Sequence, residues 1–178
     1  MPDLATVVLC EDLQSHVVLY RYLKARGYPP RRIRIVPYPA GAGSGSQHVR
    51  EHYLVEVRVQ RRSSVSQVLV VHVDADNLTV AERQAELAKQ LSTAGEGARG
   101  ASEPIVLVIP KWELETWIAH YQGAPNVIET EKAPKFRGRE AEVAVLLVTA
   151  LESLVGGASV PVNLPSLGMA IPELKRLP

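Results

Sequence analysis

The sequence predicts an α/β fold in which helices cover both faces of a parallel β-sheet. Four short segments rich in Val, Ile and Leu alternate along the chain with amphipathic segments of helical period. Continuous aliphatic runs are typical of strands buried on both faces, as in parallel sheets. Helices that connect parallel strands bring the carboxyl ends of those strands to one edge of the sheet. The 178 residues suffice for one such domain.

The four strands are predicted from apolar runs that end at turn-forming or charged residues. Pro37 stops the second strand and Pro110 closes the fourth, because proline lacks the amide hydrogen that a strand ladder needs. In chain order, the predicted strands comprise residues 5–10, 32–36, 68–73 and 104–109.

The helices are predicted from apolar residues spaced three and four apart. Gly27 ends the first helix, and Thr79 with Glu82 has the spacing of a capping box before the third. Within the second helix, residues 54–59 also alternate like a strand, so that helix has a competing interpretation. The predicted helices comprise residues 14–26, 47–60, 80–91, 112–121 and 141–155.

The chain is expected to consist of an α/β core over residues 1–125 and a C-terminal helical extension over residues 126–178 that packs on it. A charged loop, 129–139, precedes the apolar fifth helix. The proline-containing tail, 160–178, has room for one short helix.

The composition indicates a cytoplasmic protein. No apolar run approaches the ~20 residues that span a bilayer, and the first residues lack the basic region of a signal peptide. Cys10 is the single cysteine, which rules out an intrachain disulfide and cysteine-based zinc sites.

The basic residues are unevenly distributed. Residues 21–62 hold ten of the twenty Lys and Arg residues but only two of the nineteen acids, although the net charge of the chain is +1. Such a segment favours an anionic partner, and we expect nucleic acid, DNA or RNA, to bind there. Arginines on solvent-facing helix surfaces are the competing explanation. The glycine-rich loop 41–46 lacks the lysine of a P-loop, so a surface loop competes there with phosphate binding.

Acidic side chains follow three of the predicted strands. Glu11 follows the first strand, Asp74 and Asp76 follow the third, and Glu115 comes shortly after the fourth. Neighbouring strands lie only ~4.8 Å apart, so Glu11 would face both aspartates if the first and third strands pair. Carboxylates this close repel one another, and a divalent cation relieves the repulsion. We therefore predict a Mg²⁺ or Mn²⁺ site, with turn formation and helix capping as the alternative.

This arrangement resembles the Toprim domain, a Rossmann-like domain shared by topoisomerases, bacterial primases and nucleases of the OLD (overcoming lysogenization defect) type. The likeness consists of Glu11 after the first strand and the Asp-x-Asp of residues 74–76 after the third. Residues 110–117, with their Pro, Glu and Trp, resemble the corresponding segment of small stand-alone Toprim-like proteins related to OLD nucleases. The resemblance covers roughly residues 5–121, in the order and strand context that it requires.

The resemblance implies roles for the acids. Glu11 would be a metal ligand or a general base, Asp74 and Asp76 would bind Mg²⁺, and Glu115 could complete a second metal position. Two such ions activate water and stabilise the leaving oxygen. Asp12 stands where the family carries a glycine, so it either adds a ligand or caps the following helix.

Two lysines are candidates for stabilising negative charge near these acids. Lys111 follows the fourth strand and could act on the transition state of phosphoryl transfer. Lys135, in the charged loop 129–139, could neutralise the negative charge that develops in the reaction. A solvated surface position is the alternative for both. His72, inside the third strand, is expected to be a hydrogen-bonded core residue.

The predicted function is metal-dependent phosphodiester hydrolysis of nucleic acid by a Toprim-type nuclease or nuclease subunit. A role in phage or plasmid defence is compatible with the resemblance. The alternative is a non-catalytic Toprim-like module that binds nucleic acid, or that docks on an ATPase partner or a second copy through residues 141–155. A phosphatase of the haloacid dehalogenase type also uses Asp-x-Asp, but after its first strand, whereas here the motif follows the third.

Overall fold

Four parallel strands form the centre of the molecule. The structure is a computed structural model that describes residues 4–38 and 45–178. The strands are β1 (Ala5–Leu9), β2 (Ile33–Ile35), β3 (Gln67–His72) and β4 (Ile105–Val108). They are ordered β2-β1-β3-β4 across the sheet, and every neighbouring pair is parallel. The expected α/β fold with a Rossmann-like parallel sheet is confirmed, and β1 and β3 are neighbours.

Six α-helices accompany the sheet in the described part of the chain. Residues 45–62 are helical throughout, so the strand interpretation of 54–59 is wrong. Thr79 and Glu82 form the predicted capping box. The glycines before residue 45 in the predicted loop lie outside the described residues. The helices are α1 (Leu13–Ala25), α2 (Gly45–Arg62), α3 (Val80–Thr93), α4 (Leu114–Tyr121), α5 (Glu140–Val155) and α6 (Pro165–Leu174).

The helices form a layer on each face of the sheet. Helices α2 and α3 pack on one face, where Tyr53 and Leu87 meet strand residues such as Leu9. Helices α1, α4, α5 and α6 pack on the other face, with Trp117 and Leu147 in the same cluster. Alternate strand residues point to opposite faces, which is why the strands read as continuous apolar runs.

The C-terminal helices share the core of the α/β unit. Helix α5 packs against α1 and α4, and α6 packs against β4. Glu173 on α6 accepts a hydrogen bond from the backbone N–H of Leu107 at 3.0 Å and pairs with Arg99. The Tyr28 hydroxyl donates to the carbonyl of Pro178 at 3.2 Å. In the part of the chain that the structure describes, no helix is long and apolar enough to cross a membrane.

Candidate functional site

Glu11 and Asp74 meet at the carboxyl edge of the sheet. Because β1 and β3 pair with Leu9 opposite Val71, the residues that follow each strand leave the sheet side by side. The backbone N–H of Asp74 donates to Glu11 Oε1 at 2.8 Å. The structure therefore brings Glu11 and Asp74 together, as was predicted for the case in which the first and third strands pair.

Asp74 lies at the centre of a group of carboxyl groups. Its side chain is only 16% exposed, and Oδ1 has no hydrogen-bond partner among the described residues. Burial raises the pKa of Asp74 well above its usual value, and the charges of Glu11, Glu115, Asp12 and Asp76 raise it further. The predicted acids thus share one electrostatic environment, in which negative charge on Asp74 is unfavourable.

Glu11 is held closely by the start of α2. A Cβ atom at position 45 would lie 2.7 Å from Glu11 Cβ and 2.8 Å from Glu11 O, so this approach requires Gly45. Burial raises the pKa of Glu11 to about 7, against the lowering effect of the Asp74 N–H; Asp76 and Asp12 raise it further. Glu11 therefore keeps its proton at pH values where a solvated glutamate is ionised.

Two cationic side chains hold the backbone of the Asp-x-Asp segment. Arg83, a buried residue of α3, donates from Nε to the carbonyl of Asp74 at 3.0 Å and from Nη2 to the carbonyl of Ala75 at 3.4 Å. Lys111 Nζ donates to the carbonyl of Asp76 at 2.7 Å. All three consecutive carbonyls are therefore occupied. Lys111 contacts this backbone and not a carboxylate of the site.

Asp76 itself has an unusual backbone. Its φ of 54° lies in the left-handed region, which aspartate and asparagine tolerate better than most residues. Its side chain is 51% exposed, and Oδ2 lies 3.3 Å from Arg83 Nη2. Asp76 is thus more open to an incoming ligand than Asp74 is, although its carboxylate pairs with Arg83.

We expect Arg83→Lys to disorder the Asp-x-Asp segment while leaving α3 folded. A lysine ammonium cannot reproduce the forked contacts of a guanidinium with two carbonyls and a carboxylate. The expected result is a loss of about 1–3 kcal/mol in the free energy of unfolding and faster amide hydrogen exchange at residues 74–78. Denaturant titration and hydrogen exchange measure the two effects.

Arg61 provides the matched control for that substitution. It also binds carbonyls and carboxylates, with Nε 2.7 Å from Glu103 Oε1 and Nη1 3.1 Å from the carbonyl of Gly97. Arg61→Lys should cost similar stability but leave exchange at residues 74–78 unchanged. Equal protection of that segment in both variants would contradict the role of Arg83.

Glu115 forms part of a second charged group with Glu113 and Lys135. Lys135 Nζ lies 2.8 Å from Glu115 Oε1 and 2.9 Å from Glu113 Oε2, and both glutamates are buried. Burial alone would lower the pKa of Lys135, but the two carboxylates outweigh it and raise this pKa. Burial raises the pKa of Glu115, which Lys135 opposes. Lys135 is therefore a half-exposed cation that pairs with two buried carboxylates of the acidic edge.

Glu113 was not predicted from the sequence to belong to the site. It precedes α4 as its N-cap residue without a side-chain capping bond, and its Oε1 accepts from the backbone N–H of Ala133 at 2.7 Å. Its position two residues before Glu115 was the signal available. Only the fold shows that Lys135, from a distant loop, joins the two glutamates.

Asp12 caps α1. Its Oδ1 accepts from the backbone N–H of Ser15 at 2.9 Å and from the Ser15 hydroxyl at 2.7 Å. Burial alone would raise the pKa of Asp12, but these hydrogen bonds outweigh it and lower this pKa. The capping interpretation is the one that the geometry supports.

His72 lies beneath the site and differs from the prediction. It is 1% exposed, as expected of a core residue, yet neither ring nitrogen has a hydrogen-bond partner among the described residues. Nε2 lies 3.5 Å from Asp74 Oδ1. Burial lowers the pKa of His72 to about 4, so the ring is neutral near pH 7 and does not balance the charge of the carboxylates.

The donor set fits a hard divalent cation in its chemistry more than in its geometry. Within residues 4–38 and 45–178, no group of three or more His, Cys, Asp or Glu side chains is arranged to hold a metal. Asp76 faces Arg83, and Glu115 faces Lys135. The oxygen donors of Glu11 and Asp74 nevertheless suit Mg²⁺, which often takes only one or two protein carboxylates and keeps several waters. The unpartnered Oδ1 of Asp74 is the atom best suited to it.

The basic segment 21–62 lies largely away from these acids. Helix α1 leaves the carboxyl edge and runs to the opposite edge, and α2 starts beside Glu11 and ends before β3 begins, so most of the segment's cations lie at that opposite edge. Several are neutralised by acids from other parts of the chain: Arg50 by Glu86, Arg58 by Glu96, and Arg61 by Glu96 and Glu103.

Comparisons with protein-family models, curated proteins and solved structures found no match for this chain.

Proposed function

We propose that this protein is a Mg²⁺- or Mn²⁺-dependent nuclease of the Toprim type that hydrolyses phosphodiester bonds in nucleic acid. The observation that carries the proposal is the Asp74 carboxyl group. It is buried, one oxygen has no partner among the described residues, and four other acids raise its pKa. Negative charge on a largely buried carboxylate oxygen that has no partner is costly to the fold, and a bound divalent cation would offset that cost.

Different residues bind the metal, position its ligands and stabilise negative charge. Glu11 and Asp74 hold the cation, with Asp76 as the exposed ligand nearest to solvent. A bound ion would polarise the phosphoryl group and activate water. Arg83 and Lys111 hold the backbone that carries these ligands. Lys135, half exposed and paired with Glu115, supplies positive charge where the phosphodiester would lie.

Cleavage by wild type and Asp76→Asn tests this proposal. The substrates are supercoiled plasmid, single-stranded DNA and RNA, each with Mg²⁺ or Mn²⁺. Asparagine tolerates the left-handed φ of residue 76, so the variant removes charge with little backbone strain. We expect at least a 100-fold loss of rate, since removal of metal stabilisation costs several kcal/mol in the transition state.

Glu51→Gln is the control for that experiment. Glu51 is an exposed acid of α2 that accepts a hydrogen bond from Gln47, so its loss should not alter cleavage. Cutting that survives in Asp76→Asn would point to another centre or a contaminant. No metal-dependent cutting of any substrate by wild type would remove the nuclease assignment.

A non-catalytic binding module is the second candidate. Two observations favour it: Asp76 pairs with Arg83 and Glu115 pairs with Lys135, which leaves these acids less available to a metal. The outer face of α5 also exposes Val145 and Leu146, at 49% and 48%, as an interface with an ATPase partner or a second copy would. Such a module should retain nucleic-acid binding after Asp76→Asn and show no metal-dependent hydrolysis.

A further inference from the structure

A cleft of about 300 Å³ opens beside the acidic edge. Its wall includes Glu115 and Lys135, so it adjoins the carboxyl groups described above. The remaining wall comes from the start of α1, the end of the charged loop 129–139 and the start of α5, including Gln14, Phe136 and Arg137. The cleft is therefore continuous with the proposed catalytic edge and separate from the basic segment 21–62.

The cleft carries cations that can contact an anion, although acids outnumber them: Lys135 and Arg137 line it together with Asp12, Glu115 and Glu140. Helices α1, α4 and α5 all begin at it, and helix N-termini carry partial positive charge. The N-cap residue of α4, Glu113, makes no side-chain capping bond. The exposed Arg137 adds a positive charge at the rim, whereas the charge of Lys135 is shared with Glu113 and Glu115. Glu115 itself is buried, so an entering phosphate group would contact the exposed Arg137 at the rim.

The cleft also offers surfaces that suit a nucleobase. Phe136, the one phenylalanine of the chain, packs partly against the core and lines the cleft between the two cations. Gln14 is 4% exposed, its Nε2 donates to the carbonyl of Glu140 at 3.4 Å, and its Oε1 has no partner among the described residues. An aromatic ring can stack a base, and an amide oxygen can accept from an exocyclic amino group.

We propose that this cleft binds one unpaired nucleotide of the substrate next to the phosphodiester that is cut. Its volume is at the lower limit of small-ligand pockets, which admits a single nucleotide but not a base pair within a stacked duplex. The inference rests on the proposed nuclease function and narrows its substrate to single-stranded or unpaired nucleic acid.

Binding measurements test the cleft without relying on hydrolysis. The probes are a fluorescein-labelled single-stranded oligonucleotide and a hairpin duplex of the same length, each as DNA and as RNA. Fluorescence anisotropy is recorded with Ca²⁺ in place of Mg²⁺. We expect the wild type to bind the DNA or RNA single strand at least about tenfold more tightly than its duplex, since the duplex must lose stacking to enter.

Two variants and a matched control assign the binding to the cleft. Phe136→Leu keeps an apolar side chain against the core and should weaken single-strand binding about fivefold or more through lost stacking. Arg137→Gln should weaken it and reduce the salt dependence by about one phosphate contact. Arg139→Gln, two residues away and paired with Glu142 outside the cleft, should bind as the wild type does.

The outcomes separate this proposal from the nuclease assignment. Equal affinity for duplex and single strand would contradict the proposal that the cleft binds an unpaired nucleotide. Equal effects of Arg137→Gln and Arg139→Gln would contradict it as well. Because Arg137 is exposed, its loss should not unfold the chain, so the result does not depend on Phe136→Leu folding. Single-strand binding that requires Phe136 and Arg137, without cleavage in Mg²⁺ or Mn²⁺, would support the nucleotide-binding cleft and contradict the nuclease function.

Discussion

Asp74→Asn is expected to abolish metal-dependent cleavage and, without metal, to make the fold more stable. The carboxylate is buried among four other acids that raise its pKa, so the neutral amide of similar shape removes repulsion. At pH 8 we expect the free energy of unfolding to increase, because the raised pKa of Asp74 makes its ionisation less favourable in the folded protein than in the unfolded chain. Urea denaturation with a chelator measures stability, and the cleavage assay measures activity.

Asp12→Ala is expected to lower the free energy of unfolding, the opposite of Asp74→Asn, and serves as the comparison. Asp12 belongs to the same acidic edge but caps α1 through Ser15, so its removal should cost about 1 kcal/mol. If Asp74→Asn destabilised the metal-free protein as much as Asp12→Ala does, favourable contacts would hold the Asp74 carboxylate. That result would contradict an unpartnered Asp74 carboxylate oxygen at the centre of the site.

Glu11→Gln is expected to become progressively more stable than wild type as pH rises from about 4.5 to 7. The pKa of Glu11 is raised from 4.5 to about 7 in the folded state, so the folded protein retains a proton that the unfolded chain has lost. Stability that is fully present below pH 4.5 is therefore lost as pH rises through 7. The difference between the two proteins should reach about 3 kcal/mol and stay constant above pH 7.

The comparison between variant and wild type isolates Glu11 from His72. The lowered pKa of His72, about 4 against 6.5, has the reverse effect, because the unfolded chain binds a proton below pH 6.5 that the folded state excludes. Both proteins carry His72, so its contribution cancels in the difference. Stability curves at a series of pH values measure this, and a difference that does not change with pH would contradict the raised pKa.

A divalent metal should restore the stability that the wild type loses as pH rises through the pKa of Glu11. Mn²⁺ at 100 times its Kd is expected to add about 3 kcal/mol to the stability of wild type above pH 7, with less effect at pH 5 because protons compete for Glu11. Glu11→Gln should gain little at either pH. Equal stabilisation of both proteins would show that Mn²⁺ binds elsewhere.

The strands and most helix ends could be predicted because their causes are local. The aliphatic run before His72 and the capping box of Thr79 and Glu82 each act within a few residues. The meeting of Glu11 with Asp74 was predicted on the condition that the first and third strands pair. The structure supplied that strand order.

The ion pairs of the site could not be predicted in the same way. Lys135 meets Glu115 across 20 residues, and Lys111 meets the carbonyl of Asp76 across 35. Their positions made both lysines candidates for stabilising negative charge, but the sequence could not identify their partners, because a lysine in a loop is usually solvated. The same limit applied to the basic segment 21–62, whose charge excess is reduced by Glu86, Glu96 and Glu103 from beyond it.

By itself, the sequence determined the class of fold, the parallel sheet and the acids that follow its strands, because periodicity and caps are properties of neighbouring residues. The tertiary structure decided which cations neutralise which acids, that Asp12 caps a helix, and that Asp74 has an oxygen without a partner among the described residues. It also located the cleft lined by Phe136 and Arg137. These features depend on distances between residues far apart in the chain and on burial, which changes the energy of a charge according to what surrounds it.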